Sequence, residues 1–559
     1  MNPAGADRRS IAAALVGACR DAGATHAFGV PGGGSNLDVV GEVVDQGLQF
    51  VLTHTETAGA IMAAVSAQLT GAPALAVATR GPGLASAVNG IAQALLDHQA
   101  LVMVTDCVAD TDRKRISHQR LDQQAIMGPV TKASVVLDGR DPTAPPRLVA
   151  TALGGRPGPV HVDIDPSSAP GSVATAVPPD PTAVPPASDD EIEAALGLIA
   201  AADRPVIIVG SGAVIGGPGY RTEIVEALHR LGAATNTPML CTYQARGMVA
   251  DSAPWCAGVA TAATIEQPLL SDADLVIGIG LDPVEFIPSA WPAGLAVVLV
   301  GTWLIDDSDF FGADRRSEVV VRPERLAETI DAATGALATS WAADAGEAHR
   351  VRAEAEVRAA VPASPSALTP QQVIDLAAAA APAGCLATVD AGAHMFAAMV
   401  LWPTTAPCSL LISSGLATMG FALPAAIAAG LAHRDRRIVC FTGDGGLGMA
   451  LAELETLARL ALPVSVVVLD DASLSLIAAK QAEVGQGGAL ATEYAPIDFA
   501  AVARGCSIPA VRVDDVDGYR TALAEAFATA GPMLIDAVVD PSAYGSMLDA
   551  IRGPRDTSG

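Results

Sequence analysis

Glycines surround one acidic residue where an apolar run ends, in the stretch FTGDGGLGMA at residues 441–450. Gly443, Gly445 and Gly446 leave room for an anion to approach backbone N–H groups at the start of a following helix. Asp444, the carboxylate among them, could hold a cation beside that anion. The stretch predicts a site for a phosphate-bearing ligand together with a metal ion.

A second acidic position follows the next apolar run, PVSVVVLDD at residues 463–471. Between the two lies one helical stretch, MALAELETLARLA at residues 449–461. A strand–helix–strand crossover returns the chain to a neighbouring parallel strand, so Asp444 and Asp471 are expected to converge at one sheet edge. Carboxylate oxygens completed by water and phosphate oxygens suit Mg²⁺. Either acid alone is also typical of a helix cap or a polar turn, but the pair at this spacing favours a metal site.

The elements that would position these residues recur along the chain. Short apolar runs such as LVMVTD, PVIIVGSG and IVCFTGDGG alternate with helical stretches, which predicts parallel sheets covered by helices on both faces. Proline-rich joints at residues 169–190 and 357–372 divide the chain, and helix-start patterns follow at Ser188 and Thr369. The sequence predicts an α/β protein with three doubly wound parallel-sheet domains, at residues 1–170, 188–340 and 369–545.

Composition excludes several classes of protein. The chain has 559 residues, and 60 acidic against 33 basic residues give a formal net charge of −27. That balance argues against nucleic acid or an anionic membrane surface as a partner. No apolar run reaches the length of a membrane span and the first residues show no secretory signal, so we predict a cytoplasmic protein. The eight cysteines are scattered without metal-type spacing, and a disulfide framework is not expected.

The motifs also resemble a known family. GDGG followed by LDD resembles the thiamine diphosphate motif, and SGLATMGFALPAAIAAG at residues 414–430 resembles the segment over the cofactor's pyrimidine in the acetolactate synthase and pyruvate decarboxylase superfamily. The resemblance is nearest to flavin-free acetolactate synthase-like members and implies thiamine diphosphate and Mg²⁺ as cofactors. It implies Asp444, Asp471 and the carbonyl of Ser473 as metal ligands and Met419 as the wedge that bends the cofactor. The remaining cofactor-binding residues that it implies are Gly392, His394, Gly443, Gly445, Gly446 and Ser473.

The chain departs from the family pattern at Asp470-Asp471, where two asparagines are usual. A further carboxylate near the diphosphate adds repulsion, since two unit charges about 4 Å apart interact by about 4 kcal/mol at an effective dielectric constant of 20. We hypothesise that the site binds Mg²⁺ tightly and diphosphate less tightly. Asp471→Asn is then expected to lower the dissociation constant of the cofactor.

A proton-transfer residue is expected in the first third of the chain. The stretch THTETAGAIMAAVSAQLTG at residues 53–71 predicts an amphipathic helix with Glu56 in its first turn. It resembles the family's helix that carries a catalytic glutamate, although Thr55 stands in place of the usual histidine. The resemblance implies that Glu56 shares a proton with the cofactor's pyrimidine ring and reaches the cofactor of a partner subunit. A homodimer or homotetramer with active sites at the subunit interface follows from that.

Further family-like segments bear on the substrate. SHQRLDQQAIMGPVTK at residues 117–132 aligns Gln119 with a family glutamine, and His118 replaces a phenylalanine and is the candidate acid–base group. GIGLDPVEFIPSAW at residues 278–291 resembles a loop of flavin-free acetolactate synthases, so FAD is not expected. Leu474, Ile477 and Lys480 follow the metal motif and are expected to shape substrate choice, or to be helix residues only.

These observations predict an enzyme that decarboxylates a small 2-oxo acid, pyruvate being the first candidate, and transfers the acyl carbanion to an acceptor. Two alternatives stay open. One is simple decarboxylation to an aldehyde, as in benzoylformate decarboxylase. The other is a homologue that binds the cofactor without turnover. A generic nucleotide-binding protein is disfavoured, because no glycine-rich turn is followed by a ribose-binding acid.

Overall fold

The computed structural model describes residues 3–109, 112–165, 176–286, 291, 294–305, 310–312, 315–361, 367–485 and 491–553. The chain divides into two compact units. The first unit comprises residues 1–183 with 215–218 and 427–432, and the second comprises residues 184–214, 219–426 and 433–559. No helix among the described residues is both long and apolar enough to cross a bilayer.

The first unit is built on a six-stranded parallel sheet. Its apolar strands carry a core of aliphatic side chains between sheet and helices. The strands are β1 (His26–Val30), β2 (Gln49–Leu52), β3 (Ala74–Ala78), β4 (Leu101–Asp106), β5 (Ala133–Leu137) and β6 (Val160–Ile164), in the spatial order β2-β1-β3-β4-β6-β5. The helices are α1 (Pro3–Asp21), α2 (Ser35–Asp45), α3 (Glu56–Thr70), α4 (Pro82–Leu96), α5 (Gln123–Met127) and α6 (Ala144–Leu153).

The second unit contains two parallel sheets. The part that holds the earlier sheet starts with a helix whose first turn is closed by a capping box, in which Ser188 and Glu191 exchange hydrogen bonds. Its strand order is β12-β11-β10-β7-β8-β9, the doubly wound order in which the chain starts at the centre and extends to both edges. The strands are β7 (Pro205–Val209), β8 (Met239–Cys241), β9 (Cys256–Val259), β10 (Leu275–Ile279), β11 (Ala296–Gly301) and β12 (Arg316–Val320). The helices are α7 (Asp189–Ala200), α8 (Pro218–Thr235), α9 (Gln267–Leu270), α10 (Pro323–Ala336) and α11 (Ala345–Ala359).

The other sheet of the second unit has the order β14-β13-β15-β16-β18-β17, which repeats the connectivity of the first unit's sheet. The strands are β13 (Leu386–Val389), β14 (Leu410–Ile412), β15 (Ile438–Gly443), β16 (Val464–Asp470), β17 (Ala510–Val513) and β18 (Met533–Val538). The helices are α12 (Pro370–Ala380), α13 (Ala393–Leu401), α14 (Ala422–Ala432), α15 (Asp444–Ala450), α16 (Glu453–Leu460), α17 (Ser475–Glu483), α18 (Phe499–Gly505), α19 (Val516–Ala528) and α20 (Ala543–Arg552).

The predicted fold class is confirmed, since three parallel sheets surrounded by helices are present. Each sheet lies inside one of the three predicted domain ranges, whose boundaries themselves stay a prediction. The sequence predicts a single helical stretch at residues 449–461, but the structure has two helices there. The first, α15, begins earlier, at Asp444, and ends at Ala450, and α16 begins at Glu453. Strand order changes direction between β13 and β15, and ligands bind beyond the carboxyl ends of strands at such a point.

Candidate active site

A cavity of about 440 Å³ lies in the second unit, beyond the carboxyl ends of β13, β15 and β16. Its wall also includes residues of α13, α17 and α20 and of the loop after β10. All the residues that the sequence assigns to cofactor and metal line this cavity: Gly392, His394, Met419, Gly443, Asp444, Gly445, Gly446, Asp471 and Ser473.

The two carboxylates of the metal motif meet around one backbone amide. The N–H of Ser473 lies 3.0 Å from Asp444 Oδ2 and 3.0 Å from Asp471 Oδ1. Asp444 Oδ1 also accepts the N–H of Gly445 at 2.6 Å, and Asp471 accepts the hydroxyl of Ser475. Both acids therefore lie at the ends of the neighbouring strands β15 and β16, as the strand–helix–strand crossover predicts.

Burial and a neighbouring carboxylate act on each acid. Burial and the neighbouring Asp471 raise the pKa of Asp444 to about 7, and burial, with a smaller contribution from Asp470, raises the pKa of Asp471 to about 6. A divalent cation between them would favour the ionised form of each. Among the described residues no group of three or more histidine, cysteine or acidic side chains could hold a metal ion. Two carboxylates with water and phosphate oxygens are the ligand set that suits Mg²⁺.

Asp470, the other departure from the family pattern, does not share the position of Asp471. Its side chain is 2% exposed and lies 2.9 Å from Nη1 of Arg512 on β17. The same Nη1 is 2.5 Å from Asp536 on β18, whose side chain is fully buried. The charge of Asp470 is therefore compensated inside the sheet. Of the two unusual carboxylates, Asp471 is the one that lines the cavity.

His394 presents an unpaired ring nitrogen to the cavity. The side chain is buried in the first turn of α13, and its Nε2 has no hydrogen-bond partner among the described residues. Burial lowers its pKa to about 4, so the ring is neutral at pH 7. A Cβ at Gly392 would lie 2.8 Å from the ring and one at Gly443 would lie 3.4 Å from it, so both glycines make room for it. A buried nitrogen without a partner is what a polar ligand would satisfy.

Asp390 is a residue of this site that the sequence reasoning missed. It follows β13, is buried, and accepts the N–H groups of Ala391 and Gly420, each at 2.9 Å. Its other oxygen accepts the hydroxyl of Thr442 at 3.1 Å and the N–H of Ala422 at 3.4 Å. Asp390 thus joins three chain segments that border the cavity. Its place at a strand end, two residues before Gly392, was the available signal.

Met419 and Gly445 form a narrow part of the cavity wall. A Cβ at Gly445 would come within 3.0 Å of Leu474 and of the Tyr494 hydroxyl, and within 3.2 Å of the Met419 terminal methyl group. The Tyr494 segment is held there because its N–H donates to the carbonyl of Ala472 at 2.8 Å. Only glycine fits this position without displacing its neighbours. Glycines, a free histidine nitrogen and paired carboxylates together fit a diphosphate bound with a divalent cation.

The three candidate specificity residues lie on one segment of the wall. Leu474, Ile477 and Lys480 line the cavity at and within α17. Ile477 is 42% exposed and Lys480 is exposed, so this side of the cavity opens to solvent.

Glu56 belongs to the first unit and begins α3. Thr55, which replaces the family histidine, caps the helix by accepting the N–H of Ala58 at 3.1 Å. A Cβ at Gly83, in the first turn of α4, would lie 3.1 Å from Glu56 Oε1. The glycine therefore leaves space for the carboxylate beside the amino ends of two helices.

The expected amphipathic character of α3 is wrong. Residues 58–69 are all buried, and a Cβ at Gly59 would come within 2.8 Å of Gly29 on β1. On the other side, a Cβ at Gly90 of α4 would lie 2.7 Å from Ala60. Small residues allow both close approaches, so α3 is enclosed by neighbours instead of presenting a polar face to solvent.

His118 and Gln119 lie in a loop of the first unit. His118 is exposed, and Gln119 adopts a left-handed backbone conformation with φ of 56°. Gln123, a residue that the sequence reasoning did not select, holds this region: its Oε1 accepts the N–H of Gly81 at 2.8 Å, and its amide donates to Asp163. A Cβ at Gly81 would lie 2.6 Å from the carbonyl oxygen of Gln119. The loop is thereby set against the turn that precedes α4.

Comparison with known proteins agrees with this architecture. Three family models match the chain in order, all described as thiamine pyrophosphate enzyme: the N-terminal TPP binding domain at residues 9–126, the central domain at residues 192–300 and the C-terminal TPP binding domain at residues 390–537. The chain belongs to the thiamine pyrophosphate enzyme family. It is an enzyme that uses thiamine diphosphate to make or break carbon–carbon bonds, and the non-catalytic alternative is set aside.

The chain is similar to several acetolactate synthases. The chain is 29% identical to the acetolactate synthase of Bacillus subtilis, over 93% of this chain and 91% of the relative. It is 30% identical to the large subunit of acetolactate synthase isozyme 2 of Escherichia coli, over 83% of each chain. It is also 27% identical to a probable 2-ketoarginine decarboxylase of Pseudomonas aeruginosa, over 94% of this chain and 93% of the relative. The predicted family is confirmed.

Proposed function

We propose that this enzyme decarboxylates a 2-oxo acid, with pyruvate as the first candidate, and transfers the acyl group to an acceptor in an acetolactate synthase-like reaction. The observation that carries the proposal is the cavity in which His394, Met419 and the Asp444–Asp471 pair meet. The full-length similarity to proteins named acetolactate synthase supports the choice of reaction.

Five residues of the cavity have proposed roles. Asp444, Asp471 and the carbonyl of Ser473 would hold Mg²⁺, which would offset the repulsion between the two acids. His394, neutral because it is buried, would offer Nε2 to the diphosphate. Met419 would support the bent form of the cofactor. When bound, thiamine diphosphate supplies an electron sink for the carbon that loses CO₂.

Glu56 is the proposed proton carrier. It stands at the start of α3 and beside the first turn of α4, and the amino ends of helices stabilise a negative charge. The helix amino ends and the close approach of α4 hold the carboxylate at one fixed place, which is what a positioned proton-transfer group requires. We propose that it serves the cofactor of a partner subunit, in a homodimer or homotetramer. His118 and Gln119 would act on the substrate from the same unit.

A second candidate is decarboxylation that ends in an aldehyde. The similarity to a probable 2-ketoarginine decarboxylase favours it, because that relative also matches over nearly the whole chain. The two candidates differ in the fate of the acyl group: an acceptor takes it in one, and a proton takes it in the other.

The test measures CO₂ release and product identity from pyruvate, with thiamine diphosphate and Mg²⁺, in the wild type and in Glu56→Gln. Acetolactate as the product supports the first candidate, and acetaldehyde moves the enzyme to the second. Glu56→Gln is expected to lower kcat by roughly 10²- to 10⁴-fold, the usual contribution of a positioned acid or base.

The matched control is Glu42→Gln, since Glu42 is the other glutamate of residues 1–183 and lies in α2. Its oxygen accepts the Gln46 amide at 3.2 Å, and a glutamine there keeps an acceptor. Equal activity in both variants would contradict the role of Glu56. No CO₂ from pyruvate or from longer 2-oxo acids would contradict the proposed function.

A further inference from the structure

One buried amide of the first unit has no role in the proposed chemistry, although it contacts the segments that do. Gln123 is the first residue of α5 and is 3% exposed. It follows the loop that carries His118 and Gln119. A buried amide is costly unless its polar atoms have partners, so the partners of Gln123 show which segments it holds in place.

The amide of Gln123 joins segments at the carboxyl ends of three neighbouring strands, β3, β4 and β6. Its Oε1 accepts the N–H of Gly81, in the turn after β3, at 2.8 Å. Its Nε2 donates to the carbonyl oxygen of Asp106 at the end of β4, at 3.2 Å, and to Asp163 on β6. A backbone N–H can only donate and a carbonyl oxygen can only accept, so these partners fix the direction in which the amide points.

The turn at Gly81 is held by side chains from outside it. Gly81 is the N-cap residue of α4, and a glycine has no side-chain oxygen with which to cap the helix. Two successive N–H groups of the turn donate to other segments: that of Arg80 to Asp106 at 3.1 Å, and that of Gly81 to Gln123. The start of α4 therefore takes its position from Asp106 and Gln123.

Both groups of the first unit that are proposed to react lie against this turn. On one side, a Cβ at Gly83 would lie 3.1 Å from Glu56 Oε1. On the other side, a Cβ at Gly81 would lie 2.6 Å from the carbonyl oxygen of Gln119. Gln119 has the left-handed φ of 56°, which a residue with a side chain keeps only when its surroundings maintain it. A displacement of the turn would therefore move both groups.

We propose that Gln123 is a positioning residue of the active site, because its amide sets the turn against which Glu56 and Gln119 lie. It acts through this turn and not on the substrate. The inference rests on the proposed function for the roles of Glu56 and Gln119.

The test follows proton transfer without a substrate. The full-length enzyme is loaded with thiamine diphosphate and Mg²⁺, and the exchange of the cofactor's thiazolium C2 proton with deuterium is measured by NMR on quenched samples. Gln123→Met keeps the length of the side chain and removes its hydrogen bonds. It is expected to slow the exchange by roughly 10- to 100-fold, because proton transfer depends on precise placement. The dissociation constant of thiamine diphosphate should stay unchanged, since the residues proposed to bind diphosphate and metal belong to the second unit.

Gln124→Met is the matched control. Gln124 is the next residue of α5, and its amide donates to the other oxygen of Asp163. Both variants remove a donor from the same buried carboxylate, so we expect them to lose similar stability in urea unfolding. Only Gln123→Met also releases Gly81, and only this variant is expected to slow the exchange. With pyruvate it should lower kcat and raise KM, because Gln119 moves as well, whereas Gln124→Met should change neither.

Two results would overturn the inference. Exchange at the wild-type rate in Gln123→Met would show that Glu56 keeps its place without the amide. Equal slowing in Gln123→Met and Gln124→Met would show that the loss comes from the Asp163 contacts and not from the turn. If Gln123→Met does not fold, Gln123→Asn decides the question, since it keeps an amide that is one methylene group too short. Severalfold slower exchange is then expected, and an unchanged rate would overturn the inference.

A failure of the proposed function gives different results. Slow exchange in Gln123→Met without CO₂ release from any 2-oxo acid would contradict the proposed reaction and support the positioning role. Wild-type exchange in Glu56→Gln would contradict the role of Glu56 and overturn this inference with it. Slow exchange in Glu56→Gln together with wild-type exchange in Gln123→Met would overturn this inference alone.

Discussion

Arg512 is expected to neutralise the unusual Asp470, and Arg512→Gln tests this directly. The guanidinium group lies 2.9 Å from Asp470 and 2.5 Å from Asp536, and both acids are almost fully buried. It also donates to the carbonyl of Ile497 at 2.9 Å. A glutamine would leave two buried acids side by side without their cation.

The size of the effect follows from burial. Removing one partner of a buried ion pair costs about 3–5 kcal/mol. The Arg512 side chain is itself 34% exposed, so water reaches the pair and reduces its contribution. We expect Arg512→Gln to lower the free energy of unfolding by about 2 kcal/mol. For a unit of this size that corresponds to a fall of roughly 3 °C in the apparent melting temperature.

The assay is urea unfolding at pH 7 for the wild type, Arg512→Gln, Asp470→Asn and the double variant. The double variant removes one of the two repelling charges, so it is expected to regain at least half of the stability lost in Arg512→Gln. Arg459→Gln, an exposed helix pair, should change stability by less than about 0.5 kcal/mol. A double variant no more stable than Arg512→Gln would refute the compensation of Asp470 by Arg512.

Three other changes follow from the site and the first unit. Asp471→Asn is expected to lower the dissociation constant of thiamine diphosphate severalfold at saturating Mg²⁺, and an unchanged or raised constant would contradict this. Gly446→Ala places a Cβ 2.8 Å from Asp390 Oδ2 and should weaken cofactor binding by roughly tenfold. Gly448→Ala on the same helix meets open space and is the control. Burial raises the pKa of Asp163 from 3.8 to about 6, so its contribution to stability is full below about pH 4 and is lost above pH 6. The free energy of unfolding of the wild type, measured with urea relative to Asp163→Asn, should therefore fall by up to about 3 kcal/mol between pH 4 and pH 6. A difference between the two proteins that does not depend on pH would refute the raised pKa of Asp163.

The sequence was sufficient where local pattern decides structure. Apolar runs mark the strands, and strands that follow one another through a crossover are neighbours in most sheets, as β15 and β16 are here, which brings Asp444 and Asp471 to neighbouring strand ends. The helix starts at Ser188 and Thr369 are capping boxes, as their residue types indicate.

Contacts that depend on strand order or on distant segments could not be predicted. Arg512 reaches Asp470 because β17 lies beyond β18, an order that no local pattern encodes. Tyr243 and Arg552 line one cavity although most of the second unit separates them in sequence. The burial of α3 was missed because its alanines and glycines give a weak periodic signal while allowing neighbours on all sides.

That burial has a consequence for how Glu56 moves. Amide protons exchange with solvent only when the backbone opens, and the free energy of opening approaches that of global unfolding in the most enclosed elements. With residues 58–69 all buried, α3 is expected to be such an element. Its amides should therefore be among the slowest to exchange with deuterium, and the carboxylate at its first turn would be held on a part of the chain that opens only when the unit itself unfolds.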